Sequence, residues 1–197
     1  MKPEFICEAV VIGASAGGIG ALFQILPQLP KDFPVPIFIV IHLPPDNSVF
    51  IPDLFTPKCQ ITVKEAEDKE PARPGTVYFA PPDYHLLVES NGSLSLSSEE
   101  PELFSRPAIN LLFDSAADAY GSGLLGIILT GASTDGAHGV QAILNAGGTV
   151  LVQDPKTAEA STMPEAALEV CPTAQTLAPK EIGALLSKLR ENAPTNA

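Results

Sequence analysis

A serine on a glycine-rich turn is the residue of this sequence best placed to do chemistry. Ser15 lies in Gly13-Ala14-Ser15-Ala16-Gly17, which matches the G-x-S-x-G pattern of exposed serine nucleophiles. The apolar run Val10-Val11-Ile12 predicts a buried strand before it, and helically spaced apolar residues after Gly18 predict a helix. Ser15 therefore falls on a tight strand-to-helix turn, where N–H groups at the helix start could bind an oxyanion. The segment also fits a serine N-cap or a glycine loop that binds phosphate.

An imidazole and two carboxylates follow other strand-like runs. His42 ends the second such run, Asp135 comes shortly after a later one, and Asp154 ends another. Because ligands of parallel sheets bind at the carboxyl ends of the strands, Ser15, His42 and one carboxylate could form a nucleophile, its general base and the group that orients the base. Simpler interpretations are a loop histidine for His42 and a helix N-cap for Asp135. Position in the sequence does not choose between Asp135 and Asp154.

Strand-like and helix-like runs alternate along the chain. Four strand-like runs are almost continuous in Val, Ile and Leu, which is typical of parallel strands covered by helices on both faces. Asn91-Gly92 between alternating runs predicts an antiparallel hairpin. We therefore predict an α/β fold: a three-layer, mostly parallel, doubly wound sheet with a β-hairpin at an edge. The predicted strands are residues 5–14, 37–41, 60–63, 76–80, 85–89, 93–97, 124–129 and 149–152, and the predicted helices are 18–29, 48–55, 105–120 with Ser105 as N-cap, 137–145, 164–170 and one that begins at Pro179 with Ile182, Leu185, Leu186 and Leu189 facing inward.

Composition limits the partners and cofactors. The 197 residues are 45% hydrophobic, which predicts one domain over residues 1–190 and a polar tail over 191–197. The net charge of −12 argues against nucleic acid or an anionic membrane surface as partner. Three isolated cysteines and three histidines without ligand spacing predict no metal and no cofactor. With no basic leader and no run of membrane-spanning length, we expect a cytoplasmic protein without membrane insertion.

Several blocks of the sequence, in this order, are similar to a known family. The chain resembles the catalytic domain of the chemotaxis protein-glutamate methylesterases from about residue 6 to residue 170. The blocks together are specific, whereas any one of them alone is weak. They are Val11 to Gly18, Ile41-His42, Ser105-Arg106-Pro107, Leu129-Thr130-Gly131 with Asp135-Gly136, and Gln153-Asp154 with Met163-Pro164 downstream.

This resemblance implies an activity and chooses between the two carboxylates. It implies a Ser-His-Asp triad of Ser15, His42 and Asp135, with Asp154 stabilising a nearby loop. It further implies hydrolysis of glutamate γ-methyl esters on the cytoplasmic signalling helices of methyl-accepting chemoreceptors, and in some members deamidation of glutamines there. The receiver domain that usually precedes the family's catalytic domain is absent from this sequence, so we expect an open cleft, with control by a separate partner or by substrate methylation itself.

Departures from the family pattern fall at the expected cleft. Ala16 stands where Thr is more common, and Ala132-Ser133 where Met-Gly is more common. Arg106 is a further candidate for the cleft, or else an ion-pair partner at a helix start, and His85 is a candidate for the cleft or part of the hairpin. Two other functions stay open: a phosphate- or nucleotide-binding module, and a non-catalytic protein that binds a receptor.

Overall fold

Seven parallel strands form the central sheet of the protein. The structure, a computed structural model, describes residues 6–43 and 50–192. The strands lie side by side in the order β3-β4-β2-β1-β7-β8-β9, and every pairing is parallel. Their bounds are β1 Ala9–Ala14, β2 Ile37–Ile41, β3 Thr62–Glu65, β4 Thr76–Phe79, β7 Leu124–Ile128, β8 Thr149–Gln153 and β9 Gln175–Leu177, while β5 His85–Val88 and β6 Leu94–Ser97 form a separate hairpin.

The order of the strands reverses beside β1. The chain runs from β1 to β2 and on to the edge formed by β3 and β4, and then crosses back to β7, which pairs with the other side of β1. In doubly wound sheets the connections diverge at such a point and leave a crevice outside the carboxyl ends of the strands. The crevice lies here at the end of β1, where Ser15 follows Ala14.

Helices cover both faces of the sheet, which confirms the predicted three-layer fold. Alternate residues of β1 are buried on opposite faces, with Val10 and Ile12 in one apolar cluster and Ala9 and Val11 in the other. Burial of each Val or Ile contributes roughly 1.5–3 kcal/mol, so both layers fix the register of the strand. The first face is covered by α1 Gly18–Ile25, α2 Ile51–Phe55 and α6 Pro179–Leu186, and the second by α3 Ile109–Tyr120, α4 Ala137–Asn145, α5 Thr162–Val170 and the hairpin.

Helix α3 begins three residues later than the sequence predicts. The assignment of Ser105 as its N-cap is wrong, because the N-cap position is Ala108 and the helix begins at Ile109. The methyl side chain of Ala108 accepts no hydrogen bond. The first N–H groups of α3 donate instead to Asp135, which lies in the loop after β7. A cap supplied from so far along the chain leaves no local signal in the sequence.

Other differences from the prediction concern short or peripheral elements. The hairpin pairs around Asn91-Gly92 as predicted, but it forms a sheet of its own, because its apolar side chains pack in the cluster that contains α3. Strand β9 was not predicted, since two of its three residues are exposed and no apolar pattern marks it. Pro27 lies in a 3-10 turn that follows α1, so this helix ends at Ile25. Leu185 is 37% exposed, contrary to the inward orientation predicted for it.

Parts of the prediction fall outside the described residues. These are the start of the helix predicted over 48–55, the first residue of the strand predicted over 5–14, and residues 193–197 of the predicted tail. Within the described ranges, no helix combines the length and the apolar character that crossing a membrane requires.

Candidate active site

The end of strand β1 fixes the backbone around Ser15. Its N–H donates to the carbonyl of Thr130 (2.9 Å), and its carbonyl accepts from the N–H of Gly18 (2.8 Å), which begins α1. Gly17 has φ +79°, and a Cβ there would lie 2.6 Å from Cβ of Glu159. A glycine is therefore required at residue 17, for its conformation and for lack of space. The resulting turn leaves Ser15 half-buried at the mouth of the crevice.

The pairing of β1 with β2 brings His42 beside Ser15. Ala14 is paired with Ile41, so Ser15 and His42 are the next residues along two strands that lie about 4.8 Å apart. The N–H of His42 donates to the carbonyl of Ala14 (3.0 Å), which continues the ladder by one residue. The two side chains named by the sequence thus occupy neighbouring positions at one sheet edge.

A buried carboxylate contacts the imidazole of His42. Nε2 of His42 lies 2.9 Å from Oδ2 of Asp135, 93 residues later in the chain. Asp135 is completely buried, and it accepts two further hydrogen bonds, from the N–H of Ile109 to Oδ2 (2.7 Å) and from the N–H of Asn110 to Oδ1 (2.9 Å). These donors and the positive end of the α3 dipole stabilise the negative charge where water cannot.

The hydrogen bond to Asp135 fixes the tautomer of a neutral His42. A carboxylate accepts, so Nε2 must carry the proton that it donates to Asp135, and the lone pair is then on Nδ1. Nδ1 is accordingly the nitrogen that can take a proton from a hydroxyl. The imidazolium formed in that step would be stabilised by the carboxylate behind it.

Three backbone N–H groups near Ser15 remain available to a ligand. The N–H of Gly18 donates to the carbonyl of Ser15, and the N–H of Gly131 donates to the carbonyl of Ala160 (3.0 Å). In the described part of the chain, the N–H groups of Ala16, Gly17 and Ala132 donate to no acceptor. Both alanines are exposed, on the turn after β1 and the loop after β7. Donors on these two loops could bind the oxygen of a tetrahedral intermediate.

A network that the sequence analysis missed fixes these two loops to each other. The hydroxyl of Thr130 donates to the carbonyl of Ala16 (2.8 Å) and accepts from the N–H of Ala160 (3.0 Å). The N–H of Thr130 donates to Oε1 of Gln153, a side chain that is only 1% exposed. Both residues lie in the sequence blocks that carry the family resemblance. A polar residue at the end of an otherwise apolar strand is the sequence signal that could have identified Gln153.

Close packing behind Ser15 requires a glycine at residue 131. A Cβ on Gly131 would lie 2.9 Å from Cβ of Ser15 and 2.7 Å from Cε of Met163. The N–H of Met163 donates to the carbonyl of Gly131 (2.9 Å), so the start of α5 is fixed to the same loop. The position of Ser15 therefore depends on the absence of a side chain here.

Two other sequence candidates, Asp154 and His85, have hydrogen-bond partners other than His42. Oδ1 of Asp154 accepts from the N–H of Lys156 (3.0 Å) and caps a short turn after β8. His85 is buried; its Nδ1 accepts from the N–H of Ala108, and its Nε2 bonds to the carbonyl of Glu100. It fixes the hairpin to the segment before α3 and does not line the cleft.

A cleft of about 360 Å³ opens beside His42. Arg106 lines it and donates from a terminal nitrogen to the carbonyls of Ser98 (3.1 Å) and Glu99 (3.0 Å). Glu65 also lines the cleft, and burial raises the pKa of its carboxyl. Among the residues that the structure describes, no group of His, Cys, Asp and Glu side chains is arranged to hold a metal ion.

Comparisons with known proteins agree with the resemblance noted from the sequence. Residues 10–186 match the family described as CheB methylesterase. A Leptospira interrogans protein, provisionally named protein-glutamate methylesterase/protein-glutamine glutaminase, is 45% identical over 185 residues, which are 94% of this chain and 96% of that protein. A Thermotoga maritima protein-glutamate methylesterase/protein-glutamine glutaminase is 39% identical over 171 residues, which are 85% of this chain and 50% of that protein.

A solved structure extends the comparison to three dimensions. The crystal structure of the Thermotoga maritima CheB methylesterase catalytic domain has a TM-score of 0.88 to this chain at 37% identity, covering 93% of this chain and 98% of the crystallised chain. The chain thus spans nearly all of the Leptospira protein but about half of the full-length Thermotoga relative.

Proposed function

The chain belongs to the CheB methylesterase family, and we propose that it is a protein-glutamate methylesterase that hydrolyses γ-methyl esters on the cytoplasmic helices of methyl-accepting chemoreceptors and also deamidates glutamines there. The single observation that carries the proposal is the 2.9 Å hydrogen bond between His42 and Asp135 at the strand end beside Ser15. A serine, an oriented imidazole and a buried carboxylate are the groups that acyl transfer requires.

Each side chain has a distinct role in the proposed reaction. Nδ1 of His42 takes the proton of the Ser15 hydroxyl as Oγ attacks the ester carbonyl, and Asp135 stabilises the imidazolium. The imidazolium then protonates the leaving oxygen, and methanol departs from the acyl-enzyme. Water, deprotonated by His42, releases the glutamate and regenerates Ser15. With a glutamine substrate the same steps release ammonia.

Backbone donors and the cleft complete the proposed site. The oxyanion binds to N–H groups from Ala16, Gly17 and Ala132, and each such donor is worth about 3–4 kcal/mol of barrier in related enzymes. Arg106, held by two backbone carbonyls, forms a rigid cationic wall of the cleft. No metal or organic cofactor takes part in these steps.

The proposal extends to organisation and location. We infer that residues 1–190 form one catalytic domain followed by a tail over 191–197, which is supported by the family match over 10–186. A protein that acts on the cytoplasmic helices of receptors works in the cytoplasm.

Hydrolysis of two substrates by the purified protein tests the proposal. A small chromogenic ester reports acyl transfer, and methanol release from a methylated receptor fragment reports the protein substrate. Ser15→Ala should abolish both activities and keep the circular dichroism spectrum and melting temperature, whereas Ser187→Ala, at the residue that follows α6, should change neither activity. Full activity of Ser15→Ala would exclude Ser15 as the nucleophile, whereas no activity in the wild-type protein would favour a non-catalytic binding module instead.

A further inference from the structure

Large exposed apolar side chains are concentrated at the cleft. Six such residues occur in the described part of the chain, and four of them lie in or directly beside the cleft lining. Phe104 itself lines the cleft, Leu103 precedes it, Phe50 is next to Ile51 of the lining, and Tyr84 is next to Asp83 of the lining. Single exposed apolar residues are ordinary, whereas several at one cleft indicate a binding surface.

Phe104 is the most exposed of these residues. Its side chain is fully exposed, and Leu103 is 50% exposed. Neither side chain belongs to an apolar core cluster of the described residues, so core packing in the described part of the chain does not explain their presence. Exposure of a Phe ring to water is unfavourable. Burial of the ring against a partner would therefore contribute to the free energy of binding.

The backbone at this tip is held in a conformation that Phe and Leu rarely adopt. Leu103 has φ +47° and Phe104 has φ +64°, the pattern of a two-residue turn in which Asn and Gly are the ordinary residues. Glu102 and Ser105 flank the turn with reciprocal backbone hydrogen bonds of 3.1 Å and 2.8 Å. Two exposed apolar side chains thus occupy a backbone conformation that is strained for them, which is typical of functional positions.

Hydrogen bonds on both sides of the turn fix its position relative to the catalytic groups. The carboxylate of Glu102 accepts from the side-chain amide of Asn110 (2.7 Å), the residue whose N–H donates to Asp135. On the other side, Arg106 is bound to the carbonyls of Ser98 and Glu99. Phe104 is therefore presented from a rigid support, which lowers the entropic cost of binding.

The chemistry of the proposed substrate explains what this tip contacts. A glutamyl ester has a short side chain, so the protein segment that carries it must approach closely when its carbonyl reaches Ser15. Residues before and after the ester on that segment then contact the rim of the cleft. An amphipathic helix offers apolar side chains at such spacings.

We propose that Phe104, supported by Leu103, is the anchor by which the enzyme docks the apolar face of its substrate helix and so selects protein esters over small esters. This inference rests on the proposed methylesterase function. Phe104 acts on the binding of the protein substrate and takes no part in proton transfer. Aromatic anchors of this kind contribute a large share of binding energy at protein interfaces.

The test compares the kcat/KM for a methylated receptor fragment with that for a small chromogenic ester. Phe104→Asn should lower the ratio of the two at least tenfold, mainly through KM for the fragment, while the melting temperature stays the same or rises because Asn tolerates positive φ. Phe104→Tyr should restore the ratio to within about twofold of wild type, since the ring is kept. Ile6→Ala provides a control, because Ile6 is 60% exposed and precedes β1, at the amino ends of the strands rather than at the carboxyl ends where the site lies.

Two results would overturn the proposal. An unchanged ratio in Phe104→Asn would show that the substrate does not use the tip, and an equal loss on both esters would show that the turn shapes the site and does not dock a protein. Failure of the underlying function is recognised separately, because wild-type protein would then lack Ser15-dependent hydrolysis of either ester.

Discussion

The hydroxyl of Thr130 donates a 2.8 Å hydrogen bond to the carbonyl oxygen of Ala16, the residue that follows the proposed nucleophile. The same oxygen of Thr130 accepts from the N–H of Ala160, so one side chain joins the turn after β1 to the loop before α5. The orientation of the free N–H groups beside Ser15 therefore depends on a residue that does not touch the reacting atoms.

Replacement of Thr130 by Val should reduce turnover with little loss of fold. Val has the same shape but neither donates to Ala16 nor accepts from Ala160, so the N–H groups of the turn lose their fixed orientation. We expect kcat to fall roughly ten- to a hundredfold. Thr130→Ser should restore most of the rate. Thr56→Val at the end of α2, which removes a hydroxyl hydrogen bond of 2.9 Å to the carbonyl of Pro52, is the matched control and should leave kcat unchanged.

The two candidate carboxylates should differ strongly in their effect on turnover. Asp135→Asn places an amide opposite His42 and removes the charge that selects the tautomer, which costs about ten-thousandfold in the serine protease triad. Asp154→Asn keeps an oxygen that can accept from Lys156 and should cost less than about threefold. Steady-state kinetics on the chromogenic ester provide the measurement. A greater loss for Asp154→Asn would assign the orienting role to Asp154 instead.

A methyl group on Gly131 should impair catalysis through displacement of Ser15. In Gly131→Ala the new Cβ would press on Ser15 and Met163, and overpacking of this kind costs about 1–3 kcal/mol of stability. We expect kcat to fall about a hundredfold. Gly20→Ala is a fitting control, since nothing lies within 4 Å of its Cβ position, and it should keep full activity. Wild-type kinetics in Gly131→Ala would mean that Met163 moves aside and Ser15 stays in place.

The stability of the protein should increase when the charge of Asp114 is removed. Burial raises the pKa of this carboxyl above its ordinary value of 3.8, and nearby Glu102 raises it further against the opposing effect of His138. The folded state therefore holds the proton more tightly, and its stability falls as the pH rises from about 4 through the folded pKa. Asp114→Asn should raise the melting temperature at pH 7 and leave it unchanged at pH 3.5. A lower melting temperature at pH 7 would show that the contact with His138 outweighs burial.

The fold followed from the sequence where apolar patterns were long. Continuous Val and Ile runs such as 37–41 predicted buried parallel strands, and the positions of Ser15 and His42 at their ends placed both at one sheet edge. Strand β9 has no such run and was missed. The start of α3 was misplaced, because its capping group, Asp135, lies far along the chain and is brought there by the strand order alone.

The candidate site could be predicted less completely than the fold. The choice of Asp135 over Asp154 came from the family resemblance and not from spacing, and the catalytic roles of Ser15, His42 and Asp135 stay a prediction. The Thr130–Gln153 bond was not foreseen, because one sequence carries no signal that pairs a backbone N–H after β7 with a side chain at the end of β8.

One carboxylate serves both the architecture and the proposed chemistry. Asp135 accepts from the first N–H groups of α3 and from the imidazole of His42. Because Oδ2 accepts from both the imidazole and the N–H of Ile109, loss of this oxygen affects His42 and the start of α3 together. Selection for a stable helix and selection for a fast enzyme therefore act on the same atoms. In a descendant that had lost the activity, selection for stability would still favour this aspartate.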